Sequence, residues 1–178
     1  AFSYYISDRK PSKIIAFEPS KVRFETLKKN LGEFDAVLIN KAISDFNGTI
    51  TDGLEFDTMV EDLSAMTFDK VIQKLELNRI DFLKLDCEGG EYDIFTDKNI
   101  DWIRKNVKKI AGEWHLHTPA QKEKFYNFRD KYLKMFSDYK VYTIDGIENL
   151  QNKLFDNQKM NWYSDVHVYI NNQIGRAH

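Results

Sequence analysis

Three carboxylates, Asp86, Glu88 and Glu91, surround a Gly-Gly step in LKLDCEGGEYDIF (83–95), directly after an apolar run. A second group lies in GEWHLHTP (112–119), where Glu113, His115 and His117 alternate. In extended backbone, alternate side chains point to one side, so these three would share a face. Carboxylates and an imidazole gathered this way can take, hold or orient a proton. By donor type they could also bind a divalent transition metal, with Asp86 or Glu88 completing the set. A lone His-x-His is a common coincidence, and a proton-handling role for His115 explains the same residues more economically, so no metal is assigned. The acids also have a structural explanation, because negative charge at a helix start is favourable and Gly89-Gly90 permits a sharp turn. Glu91 is assigned that role. Asp86 and Glu88 precede the helix, at a strand end, where they can face a cleft.

The elements that must position these groups read as short apolar strands alternating with longer helical patterns, the signature of βαβ units and a parallel sheet. Strands are expected at Lys13–Phe17, Ala36–Asn40, Ile80–Leu85, Lys108–Glu113, Lys140–Ile144 and Val166–Ile170. Helices are expected at Lys21–Leu31 stopped by Gly32, at Phe68–Leu75 capped by Thr67, at Tyr92–Thr96, and at Ala120–Phe136 opened by Thr118-Pro119. Asn47–Ser64 is turn-rich and suits a short hairpin. The last two strands are joined by a polar stretch without a helical stripe, which suits a terminal antiparallel pair. Phe125, Phe128, Tyr132 and Phe136 form one stripe, expected to pack on a sheet.

In open parallel sheets, ligands bind beyond the carboxyl ends of the strands. Glu18, Asn40-Lys41, Asp86 and Glu113-Trp114-His115 all fall at such ends. An acid just past the second strand suits the two hydroxyls of a ribose, so Glu18 points to an adenosine-containing cofactor. Alone, Glu18-Pro19 would equally be a solvated acid before a helix, and Asn40 to Asp45 a polar turn.

At 178 residues the chain suits one domain, and 42% hydrophobic with 14% aromatic residues excludes a disordered chain. A formal net charge of -2 gives no general electrostatic reason to bind nucleic acid. No apolar run is long enough to span a bilayer and no signal peptide is evident, so a soluble, cytoplasmic protein without membrane partners is expected. The single cysteine, Cys87, has no internal disulfide partner and reads as a small buried hydrophobe.

IIAFEPSKVRFETLKKNL, then INKAISDFNGTI, then IDFLKLDCEGGEYDIF, in that order and roughly that spacing, resemble the FkbM family of S-adenosylmethionine-dependent O-methyltransferases. The resemblance covers about the first two thirds of the chain. It implies a class I methyltransferase, a Rossmann-like α/β sheet of seven strands ending in an antiparallel strand. It implies S-adenosylmethionine as cofactor, with S-adenosylhomocysteine as product, held by Glu18, Pro19, Lys41, Ala42, Ile43 and Asp86. The family's first strand and Gly-rich loop would precede Ala1, with Ala1–Ser7 resembling the helix that follows. Residues 1–178 would then be a single methyltransferase domain incomplete at its N-terminus and open to being part of a larger polypeptide.

The expected reaction is methylation of a hydroxyl of a sugar, glycan or related natural product. Asp86, Glu88 and His115 would handle the hydroxyl proton, and Glu113 would orient His115 or the acceptor. Trp114, His117 and Tyr163 would bind the acceptor ring. Two rivals are a non-catalytic adenosine-cofactor or glycan-binding module and a glycoside hydrolase. The latter would need carboxylates facing across a cleft, which close sequence neighbours seldom supply.

Overall fold

The computed structural model describes residues 11–50 and 63–172. The expected segment at Ala1–Ser7 and most of the hairpin expected within Asn47–Ser64 lie outside the described residues. The chain is a mixed α/β protein that divides into two compact units, residues 1–67 and 68–178.

In the first unit, two apolar runs form the parallel pair β1 (Ile14–Phe17) and β2 (Ala36–Ile39), in register from Ile14↔Ala36 to Phe17↔Ile39. Helix α1 (Lys21–Leu31) connects them. Its start is fixed by Ser20, whose hydroxyl accepts the Arg23 amide and so satisfies one of the unpaired donors of the first turn. Leu31 packs with Ile14 and Ala16 into a small core edged by Leu27, Ala36 and Leu38. Strand β3 (Ala42–Ile43) runs parallel to β5 (Leu63–Met66), and β4 (Gly48–Ile50) runs antiparallel to β5.

The second unit opens with α2 (Phe68–Lys74) and continues through β6 (Leu83–Leu85), a 3₁₀ turn at Gly90–Asp93, α3 (Ile100–Asn106) and β7 (Lys109–His115). Helix α4 (Pro119–Asn127) follows, then β8 (Tyr139–Thr143), α5 (Asn157–Met160) and β9 (Asp165–Asn171). The strand order is β6-β7-β9-β8, with β6 and β7 parallel and β9 antiparallel to both of its neighbours. The terminal antiparallel pair is therefore present. Strand β7 runs two residues further than the expected Glu113, because β9 pairs with it as far as His115↔Asp165.

The long helix expected at Ala120–Phe136 is broken into three pieces. It is α-helical to Asn127, a π turn over Phe128–Tyr132, and 3₁₀ over Leu133–Met135. The π turn carries Arg129, whose buried guanidinium donates to the Leu154 carbonyl and the Asn157 side chain. The apolar stripe nonetheless holds, since Phe125, Phe128, Tyr132 and Phe136 are all buried. The short helix expected at Tyr92–Thr96 is the 3₁₀ turn Gly90–Asp93 instead. Among the described residues, no helix is long and apolar enough to cross a membrane.

Candidate functional site

The parallel register Leu85↔Gly112 sets the end of β6 beside the middle of β7, so Asp86 and Glu88 follow one strand while Glu113 and His115 occupy the other. Two glycines make this junction possible. At Gly112 an added Cβ would stand 2.6 Å from the Trp114 ring and 2.9 Å from the Leu85 side chain, so only glycine lets the strands and the indole close. At Gly89, with φ of +105°, a Cβ would also meet the Gln121 amide at 2.8 Å. Gln121 belongs to the capping box of α4, in which the Thr118 hydroxyl accepts the Gln121 amide while the Gln121 side chain accepts the Thr118 amide.

His115 is the centre of the cluster, with its side chain 4% exposed. Glu91 Oε1 accepts the His115 backbone N–H at 2.8 Å and lies 3.2 Å from Nδ1. The other Glu91 oxygen accepts the Gly89 amide at 2.9 Å. On the far side of the ring, Nε2 lies 3.4 Å from Glu88 and 3.8 Å from Glu113. Burial pulls the imidazole toward its neutral form, but the hydrogen bond and charge of Glu91, aided by Glu88 and Glu113, outweigh it and push the pKa up to about 9. His115 is therefore an imidazolium near neutral pH. The alternate spacing places Glu113, His115 and His117 together as expected, with the two imidazole rings 5.4 Å apart. His117 Nε2 in turn lies 2.7 Å from Asp165, and His167 Nε2 lies 3.9 Å from Glu113.

Glu91 corrects the sequence expectation. It is wholly buried and holds His115, as well as closing the turn it was expected to start. Tyr92 belongs to the same support, donating its hydroxyl to the His115 carbonyl at 2.7 Å, and burial holds that phenol in its protonated form. Asp165 was also missed. Both are found only by pairing across the fold: β9 register brings Asp165 opposite His115, and the Gly-Gly turn folds Glu91 back onto it.

Trp114 corrects a second expectation. It points to the opposite face of β7 from His115, is fully buried, and stacks on Phe128 with ring centres 5.0 Å apart. It is a core residue and offers no surface to an acceptor. Tyr163 is half-buried, and its hydroxyl lies 3.3 Å from both Lys153 and Glu148 rather than in the His115 cluster. Burial pushes the Cys87 thiol up to about 11, which suits the small hydrophobe read from the sequence.

Two overlapping sets, Asp86–Glu88–His115 and Glu113–His115–Asp165, each bring potential ligand atoms within 4.8 Å of one another, so their donor types would suit a divalent cation. Both sets use the same imidazole, and a proton competes with any cation for it.

In the first unit, Asn40 Nδ2 donates to the carbonyls of Glu18 and Pro19, both at 2.8 Å, and so ties the end of β1 to the end of β2. Glu18 Oε1 accepts the Ser20 amide at 3.0 Å, while Oε2 makes no hydrogen bond among the described residues. Lys41 is half-buried, as are Ala42 and Ile43, which pair with Ala65 and Met66 in β5.

A mixed α/β chain with these features is a methyltransferase by comparison with known proteins: residues 1–140 match the family described as the methyltransferase FkbM domain. The chain belongs to that family. No curated protein and no solved structure matches it.

Proposed function

We propose that the protein is an S-adenosylmethionine-dependent O-methyltransferase of the class I, Rossmann-like type, acting on a hydroxyl of a sugar, glycan or related natural product. The observation that carries the reading is the buried imidazole of His115, clamped by Glu91 and flanked by Glu88 and Glu113, in a chain of the FkbM family.

The Glu18 carboxylate fits the cofactor this implies, because among the described residues Oε2 makes no hydrogen bond and Asn40 fixes the backbone that carries it. Within the first unit, Glu18, Pro19, Lys41, Ala42 and Ile43 would hold the adenosine portion. When bound, S-adenosylmethionine supplies an electrophilic methyl group on a sulfonium. The chain's own task is to place a hydroxyl oxygen and accept its proton. Orientation supplies up to about 7–11 kcal/mol of barrier reduction in favourable cases, and a positioned base about a hundred- to ten-thousand-fold. Because His115 already carries a proton near neutral pH, the base is a carboxylate, and Glu88 and Asp86 are the two whose side chains remain 43% and 55% exposed. His115 then acts as a fixed donor that steadies the carboxylates and the oxygen as the proton leaves.

Isothermal calorimetry with S-adenosylhomocysteine tests the cofactor, and transfer of a labelled methyl group to a panel of glycosides tests the reaction. Binding together with label on an oxygen is expected. Absence of cofactor binding would defeat the reading.

A further inference from the structure

We propose that the cleft lined by His117, Pro119, Lys122, Glu123, Tyr126 and Asn161 is the acceptor subsite, and that it takes an uncharged sugar ring in preference to a sugar phosphate or a uronate. This rests on the methyltransferase reading above and gives that reaction a location and a substrate class.

Position is the first support. His117 both lines the cleft and lies 2.7 Å from Asp165, which with Glu113 and His115 forms one of the two compact donor sets. The cleft therefore borders the Glu113–His115–Asp165 set, whose imidazole is also the fixed donor of the proposed reaction. Its volume of about 250 Å³ falls just below the range usual for small-molecule sites, which suits one ring rather than an extended chain.

The lining decides the chemical class. Imidazole, ammonium, carboxylate and amide groups ring the cleft together with Pro119 and the Tyr126 ring. A sugar edge, with hydroxyls that donate and accept at every position, can pair with such a mixed set, whereas a lipid or a flat aromatic would strand it unpaired.

Charge narrows the class further. The Lys122 ammonium is already committed to the Asn161 carbonyl at 2.6 Å and its side-chain oxygen at 3.0 Å. Glu123 lies in the cleft, with Asp165 paired to His117 and Glu113 and Glu88 grouped about His115. The Lys122 hydrogen bonds to a neutral amide hold the ammonium in place, and with the His115 imidazolium it stands against four carboxylates, Glu123, Asp165, Glu113 and Glu88, so an anionic acceptor would meet a net negative surrounding.

An aromatic platform is also at hand. Trp162 directly follows the lining residue Asn161 and is 88% exposed. This exposed indole, one residue along the chain from the lining, is assigned to the C–H side of the sugar ring. The stacking role that sequence assigned to Trp114 thus passes to Trp162.

Saturation-transfer NMR on the full chain tests this, with the methyl glycosides of glucose, galactose and mannose, methyl glucuronoside and glucose 1-phosphate as probes. Transfer to at least one neutral glycoside is expected, with weak or no transfer to the two anions and about fivefold weaker binding of the neutral ligand in Trp162→Ala, the scale of one lost aromatic contact. Trp162 is exposed, so the variant keeps its fold, checked by circular dichroism. Equal or stronger binding of the anions, a neutral signal unchanged in both Trp162→Ala and Lys122→Ala, or no transfer from any probe would overturn the subsite. Calorimetry with S-adenosylhomocysteine on the same samples separates the two proposals. Cofactor binding without glycoside binding defeats only the subsite, and glycoside binding without cofactor binding defeats only the methyltransferase reading.

Discussion

Glu91 Oε1 accepts the backbone N–H of His115 and faces the ring nitrogen Nδ1 of the same residue, so one buried oxygen fixes both the strand end and the orientation of the imidazole. The consequence is directional. Nδ1 carries its proton toward Glu91, and Nε2 is presented to Glu88 and Glu113. A carboxylate so placed orients the imidazole and raises its proton affinity.

Removing the Glu91 charge should therefore be felt at His115. In Glu91→Gln the His115 pKa is expected to drop well below the native value of about 9, followed by NMR titration of the ring Cε1 proton. Glu91→Ala, which leaves His115 buried without its partner, should cost about 3–5 kcal/mol in denaturant unfolding, the usual scale for a broken buried pair. An unshifted His115 titration in Glu91→Gln would remove Glu91 from control of the ring.

The same pair sets a pH dependence of stability. The folded pKa of His115 lies above its unfolded value of about 6.5, so folding binds the proton more tightly. The stabilisation is fully present below about pH 6.5 and is lost as pH rises through about 9. Urea midpoints measured between these limits should fall with rising pH, and the slope should flatten in Glu91→Gln. A flat wild-type profile would contradict the pairing.

Much of this scaffold is legible in the sequence, and the parts that are not have a common cause. The end of α1 follows from Gly32, and the apolar runs expected as strands at Lys13–Phe17, Ala36–Asn40 and Val166–Ile170 are the strands at 14–17, 36–39 and 165–171. Alternation correctly put Glu113, His115 and His117 on one side, but it says nothing about which side is the core. Trp114, one residue out of phase, went inward to Phe128. Glu91 does serve the turn it starts, but its second role was not legible because it depends on a contact with a residue 24 positions away, and helix-start statistics describe only local effects. Helix α3 was missed because its pattern is short, and the π turn because it rests on Arg129 reaching Leu154 and Asn157.

Glu18 carries the prediction for the cofactor. Its Oε1 accepts the amide of Ser20, the residue that caps α1, while Oε2, which makes no hydrogen bond among the described residues, can accept from a ribose. Glu18→Ala is expected to weaken S-adenosylhomocysteine binding by about 1–3 kcal/mol, the cost of leaving hydrogen-bonding groups unpaired. Calorimetry reads this directly, and an unchanged affinity would place the ribose elsewhere.

Chelation should leave methyl transfer intact. A sulfonium donor is already electrophilic, and the acid–histidine cluster can accept a proton without a cation to activate the hydroxyl. Turnover measured with and without a chelator should agree. Loss that a divalent ion restores would assign the Asp86–Glu88–His115 set to a metal instead.

The proton path can be tested by separating the exposed acids from the buried donor. Glu88 holds a left-handed backbone, φ of 52°, which an ordinary side chain adopts only when its surroundings impose it, and its carboxylate faces His115 Nε2. Asp86 sits two residues earlier, with Lys84 Nζ at 3.5 Å. Neither is buried, so Glu88→Gln and Asp86→Asn remove a charge without opening the core. His115→Ala leaves the backbone amide that Glu91 accepts, so part of the buried network survives. Loss of the base is expected to lower turnover by about a hundredfold or more in Glu88→Gln or Asp86→Asn, and loss of the fixed donor by a similar factor in His115→Ala. Affinity for S-adenosylhomocysteine should change much less, which marks a loss in the reaction step rather than in cofactor binding. Near-normal turnover in all three variants, with folding intact, would mean that the cluster around Gly89 and His115 holds β6 and β7 together and takes no proton.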